Sequence, residues 1–203
     1  MTRSPRVFVA LGMLTGLLAA CTAAPGSEPS TSPVSSPSPS VDASFDRQFI
    51  DMMVPHHQSA VEMAKIAQDR GEHPEIKQLA GEIIAAQDAE IAQMRSWRNA
   101  WFGSDSTPPM DAVPMLPGMD MGGHGTGGDM MDMTADIEAL RSAEPLDKEF
   151  IEMMTVHHES AIAAARLAEQ QAERPEIKQL AGEIIAAQET EIREMKDWLD
   201  AWY

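Results

Sequence analysis

The sequence predicts an all-α fold, a four-helix bundle built from two duplicated helical hairpins, and three observations predict it. The stretch Phe49 to Ala64, FIDMMVPHHQSAVEMA, returns as Phe150 to Ala165, FIEMMTVHHESAIAAA. Pro74 to Gln87 is identical to Pro175 to Gln188, and the same offset pairs Asp46 with Asp147, Trp97 with Trp198 and Trp101 with Trp202. Apolar residues also recur at helical spacing: Phe49, Met53, His56, Ala60, Met63 and Ala67 follow at steps of four and three, as do Phe150, Met154, His157, Ala161, Ala164 and Ala168. One hairpin cannot cover its own apolar stripe, whereas two can close a bundle.

The chain begins with a segment to be set apart from the fold. Arg3 and Arg6 precede the apolar run Val7 to Ala20, which is too short to span a bilayer and has the form of a secretory signal over residues 1–20. Its ending, Leu18-Ala19-Ala20-Cys21, resembles a bacterial lipoprotein signal in which Cys21 becomes the lipidated first residue. Cys21 is the sole cysteine, so it has no internal disulfide partner; an ordinary secretory signal with an incidental thiol is the alternative. The expected location is therefore the cell membrane, lipid-anchored on its extracytoplasmic face. Residues 21–43, nearly all Ser, Pro, Thr, Ala and Gly, cannot bury a core and read as a disordered tether.

The net charge is -17, and removal of Arg3 and Arg6 makes the remainder more acidic still. Such a surface repels nucleic acid and anionic lipid headgroups, which excludes both as ligands, and concentrates cations nearby.

The folded part is expected over residues 44–203, as a repeat at 44–103, a Met/Gly-rich connector at 104–134 and a second repeat at 145–203. The first helix is expected from Ser44 to Arg70, with Asp42 or Ser44 as cap and Gly71 ending it. The second starts at Pro74, a residue suited to the first turn, and continues to about Trp101. The second copy repeats this over Leu146 to Ala172 and Pro175 to Tyr203. Pro55 conflicts with a regular first helix, since it removes the bond to the Asp51 carbonyl at a cost of roughly 3 kcal/mol. Val156 stands there in copy two, so either a kink re-aims His56 and His57 in copy one alone or the first turn is irregular.

The helical spacing brings sulfur and nitrogen donors together. Met53 lies three residues before His56 and four before His57, and Met154 stands in the same relation to His157 and His158. Thioether with imidazole is a soft to borderline donor set that suits copper, above all Cu(I), and suits magnesium or calcium poorly. Methionines in a helix stripe also serve as core gap fillers. Paired imidazoles are harder to place without a partner, because an unsatisfied buried polar group costs on the order of 1 to 3 kcal/mol. Glu62 and Met63 become Ala163 and Ala164, so copy one offers an extra sulfur and carboxylate. Met53, His56, His57 and Met63 are therefore expected to form the stronger site, while Met154, His157 and His158 form or complete another. Glu90 and Glu191, with Gln87 and Gln188, fall beside the inward line of the second helices and read as acceptors for an imidazole N–H or as exposed stripe-edge residues. His73 is replaced by Arg174, which argues against a shared role for that turn position.

The connector is rich in methionine where Ser or Lys would serve a solvated linker. Met119, Met121, His124, Met130, Met131 and Met133 are candidate weak ligands, with Gly letting the chain fold round an ion. A low-complexity linker whose methionines pack loosely on the bundle is the other reading.

The motif F-I-x-M-M-x-x-H-H-x-S-A, present twice and each time followed by a Pro-started helix ending in Met and Trp, resembles the bacterial domain of unknown function 305 family over about Phe45 to Tyr203. That resemblance implies a ferritin-like bundle and binding of copper or silver, and implies no established reaction. The family's His-His-x-x-Ala-x-x-Met continuation is present at Met63 and missing at Ala164, which puts full ligation by copy two in doubt. The expected function is a lipid-anchored extracytoplasmic protein, not an enzyme, that sequesters or hands over Cu(I), or Ag(I). A metal-free helical interaction module is the alternative. A di-iron enzyme would need carboxylates three residues before His56 and His157, where Met53 and Met154 stand.

Overall fold

The computed structural model describes residues 44–109, 112, 115–119 and 133–203. Among these are five helices: α1 (Phe45–Arg70), α2 (Pro74–Phe102), α3 (Met133–Ser142), α4 (Leu146–Gln171) and α5 (Pro175–Trp202). The pairs α1–α2 and α4–α5 are the two hairpins, and α1 packs against α4 where the hairpins meet. The four long helices form the all-α bundle that the repeat predicts. The expected leader, Cys21, the tether and Met121, His124, Met130 and Met131 lie outside the described residues.

Helix α1 starts at Ser44, whose hydroxyl accepts from the Arg47 N–H at 3.4 Å, and runs through a buried Pro55 without interruption. Gly71 ends it with φ -52 and ψ 144, and Ala172 ends α4 with nearly the same angles. Glycine's access to left-handed backbone is therefore not what stops α1. That freedom is used at Gly103, which closes α2 at φ +78.

What fixes both helix ends is a carboxylate from the opposite hairpin. Asp147, fully buried in the first turn of α4, accepts from the backbone N–H groups of Glu72 (2.9 Å) and His73 (2.8 Å) just before α2. Asp46 in α1 does the same for Glu173 (2.9 Å) and Arg174 (3.1 Å) before α5. The start of each inner helix thus meets the end of the other, so α1 and α4 are antiparallel.

The same turns settle the exchange of His73 for Arg174, and the expectation of no shared role is wrong. The His73 ring stacks on Trp202 with centroids 3.8 Å apart and planes 3° from parallel, while the Arg174 guanidinium lies 4.1 Å from the centre of Trp101. Imidazole and guanidinium are both flat and able to carry positive charge, so either can lie on the indole of the other hairpin.

Helix α3 is an element the connector reading did not contain. Met133, Ile137 and Leu140 are its buried face, set at helical spacing, and it packs on α1 and α4. Arg70 donates to the carbonyls of Leu140, Arg141 and Ala143, tying the end of α3 to α1. Met133 therefore belongs to a buried helix face rather than to a solvated linker. Met119 packs against the core beside Leu116, itself only 3% exposed.

Candidate metal centre

The seam between α1 and α4 crosses at His56 and His157, whose ring centroids are 3.8 Å apart. His57 and His158 flank them at 6.2 and 6.4 Å from their sequence neighbours, making a row of four imidazoles. All four are buried, between 0% and 5% exposed.

The hydrogen bonds fix which ring nitrogen carries the proton. The Ser160 hydroxyl donates to the His157 carbonyl at 2.7 Å and so accepts from His56 Nε2–H, also at 2.7 Å. Ser59 donates to the His56 carbonyl and accepts from His157 Nε2–H at 2.6 Å. His57 Nε2 donates to Glu90 and His158 Nε2 to Glu191, each at 2.6 Å. Each imidazole thus presents Nε2–H to its partner, and Nδ1 is the ring nitrogen left over. All four Nδ1 atoms are buried without a hydrogen-bond partner. Burial, reinforced by the neighbouring imidazoles, holds His56 and His157 well below the ordinary histidine pKa, so both are neutral at pH 7. A neutral ring with its far N–H anchored on a hydroxyl, as in His56 and His157, is a form in which histidine ligates a metal.

Buried methionines stand on the same helices as this row. Met53 and Met154, fully buried, lie one turn before the histidines of their own helices. Among the described residues no three His, Cys, Asp or Glu side chains gather so as to hold an ion unaided. Thioether added to these nitrogens would make a donor set suited to soft ions. The donor set fits Cu(I) or Ag(I), and lacks the carboxylates a di-iron pair would need.

Two expected groupings change. Met63 does not join Met53: it packs in one apolar cluster with Met154 and Met195, whereas Met53 packs with Met94, Ala161 and Ala164. The antiparallel crossing explains this, because residues after His56 in α1 face residues before His157 in α4. Glu62 pairs with Lys65 at the surface, 2.8 Å away, and takes no part in the site. Met94 and Met195, fully buried on α2 and α5, are further sulfurs that the sequence analysis did not single out. Their position one turn after Glu90 and Glu191 was the available signal.

The family described as "Domain of unknown function (DUF305)" matches residues 46–199. Among solved structures the fold is similar to CopM in its Cu(I)-bound form, 38% identical with a TM-score of 0.61, covering 78% of this chain and 97% of that one. CopM in an Ag-bound form superposes with a TM-score of 0.60 at 39% identity over the same shares. A DUF305 protein from Streptomyces coelicolor is 29% identical, with a TM-score of 0.63 and coverage of 78% and 93%. An uncharacterized protein of Acanthamoeba polyphaga mimivirus is 45% identical over 50 residues, a match to 25% of this chain and 33% of that protein's length.

Proposed function

The chain belongs to the domain of unknown function 305 family, and on that premise we propose that it binds copper as Cu(I), or silver as Ag(I), to sequester the ion or hand it on. The observation that carries this reading is the set of four buried Nδ1 atoms without a hydrogen-bond partner, on two helices that also carry the buried Met53 and Met154. Leaving these nitrogens bare costs on the order of 1 to 3 kcal/mol each, a cost that a bound soft ion removes. Similarity to CopM, a protein solved with Cu(I) and Ag bound, supports it. Met53, His56, His57, Met63, Met154, His157 and His158 supply the donors. Glu90 and Glu191 orient the outer rings. Binding and release require no catalytic step, so the role is not enzymatic.

Replacing His57 and His158 together by Ala is expected to weaken Cu(I) binding by about 100-fold or more, read by competition against a chromophoric chelator. Glu90→Gln with Glu191→Gln keeps the volume and is expected to cost about 10- to 100-fold. Unaltered affinity in the His double variant would remove the outer imidazoles from the site, and absence of Cu(I) binding by the unaltered protein would return the metal-free interaction module to first place.

The membrane anchor is part of the same proposal: lipid on Cys21 would hold the bundle outside the cytoplasm on the tether of residues 21–43. Among the described residues no helix is long and apolar enough to cross a membrane. Cys21→Ser is expected to move the protein from the membrane fraction to the soluble one. Retention in the membrane would exclude this anchor.

A further inference from the structure

The two halves of the seam differ in what covers them. Residues 51–57 are buried without exception, Pro55 included. In the related stretch of α4, Glu152 is exposed, Met153 and Thr155 are half-buried, and Val156 is 56% exposed. Beneath that opening lies a cavity of about 270 Å³ lined by Met63, Asp136, Glu152, Met153, Val156 and His157. The cavity thus runs from an exposed valine to an imidazole that is itself only 2% exposed.

We infer that the soft ion reaches the histidine row through this cleft between α1, α3 and α4, passing from Met153 to Met63 to His157. This rests on the proposed binding of Cu(I) or Ag(I) and adds its direction of approach. A monovalent ion cannot cross an apolar core bare, since uncompensated desolvation of a charge costs far more than the few kcal/mol a fold can spare. Two thioethers on the cavity wall let the ion exchange water for sulfur stepwise, with no change of oxidation state. The Glu152 carboxylate of α4 on the lining raises the local cation concentration. The Glu152 carboxylate also lies 3.8 Å from Lys148 Nζ, which moderates but does not cancel that field. Asymmetry between the copies is built into the sequence at the same place. Met63 has Ala164 as its counterpart, so the inner sulfur of this path exists on one side of the seam only. Val156, the exposed residue at the mouth, has the buried Pro55 as its counterpart.

The test is Val156→Trp, which fills the mouth without removing a donor, followed by stopped-flow uptake of Ag(I). Uptake is expected to slow by about tenfold or more while equilibrium affinity stays within about twofold. Unchanged uptake in this variant, with the His57/His158 double variant still deficient, overturns the path and leaves the binding function standing; absence of binding in the unmodified protein overturns the function itself. A second readout needs neither a variant nor a metal: peroxide treatment of the apo protein, with peptides resolved by mass, is expected to oxidise Met153 several-fold faster than Met52 and Met53. Equal rates at Met52 and Met153 overturn the one-sided opening.

Discussion

Exchange of Met53 and Met154 for Leu is expected to lower Cu(I) affinity by about 100-fold, on the order of 2.8 kcal/mol, and to leave the bundle folded. Leu and Met have similar volumes, and such swaps in a core usually cost under about 1.5 kcal/mol each. Both side chains are fully buried, so the exchange removes sulfur without opening a path for water. The large effect on binding follows from the composition of the site. No three nitrogen or carboxylate donors converge among the described residues, so loss of sulfur leaves an ion undercoordinated rather than merely less well held. Chelator competition gives the affinity and thermal unfolding gives the control. Wild-type affinity in a folded double variant would mean that these sulfurs are core filling and that the ion, if bound, is held elsewhere.

The second large effect is on stability. Asp147→Ala is expected to cost about 3 kcal/mol, because it strands two part-buried backbone N–H groups and withdraws the partner of a side chain. Asp147 accepts from Glu72 N, His73 N and His73 Nδ1, the last at 2.7 Å, and it is fully buried. Asp46→Ala should cost less, about 2 kcal/mol. Asp46 has two backbone donors, but its side-chain partner Arg174 stands 3.8 Å off and is 41% exposed. Urea unfolding followed by circular dichroism measures both. Equal losses would show that the His73 contact adds nothing, and a loss below about 1 kcal/mol at Asp147 would remove these carboxylates from the account of what joins the hairpins.

The long helices and their buried stripes were legible because duplication repeats every apolar position at the same helical phase. His56, His57, His157 and His158 were legible as candidates for the same reason: paired imidazoles on an inward stripe demand partners. Their partners were less so. Glu90 and Glu191 were placed beside the inward line, but contact with His57 and His158 depends on how α2 lies on α1 and α5 on α4. The role of Ser59 and Ser160 arises only where α1 and α4 cross, since each serine serves the other helix's imidazole. Which half Met63 would join depends on that crossing being antiparallel, and local spacing carries no information about it. Helix α3 was hidden for a different reason: Met133, Ile137 and Leu140 hold a helical phase, but they follow a stretch so rich in Gly and Met that composition masked the period. At His73 and Arg174, comparing residue types obscured a shared geometry, because what the turn requires is a flat group above an indole and not one particular side chain.

The crossed carboxylates also share with the covalent link the work of holding the hairpins together. Each hairpin is clasped by the first turn of the other, so the two halves stay registered. Lengthening a flexible joint is cheap, about 0.6 kcal/mol for each doubling. Between α2 and α3 the scaffold holds particular positions, Leu116 in the core and Met119 against it, rather than a fixed length of chain.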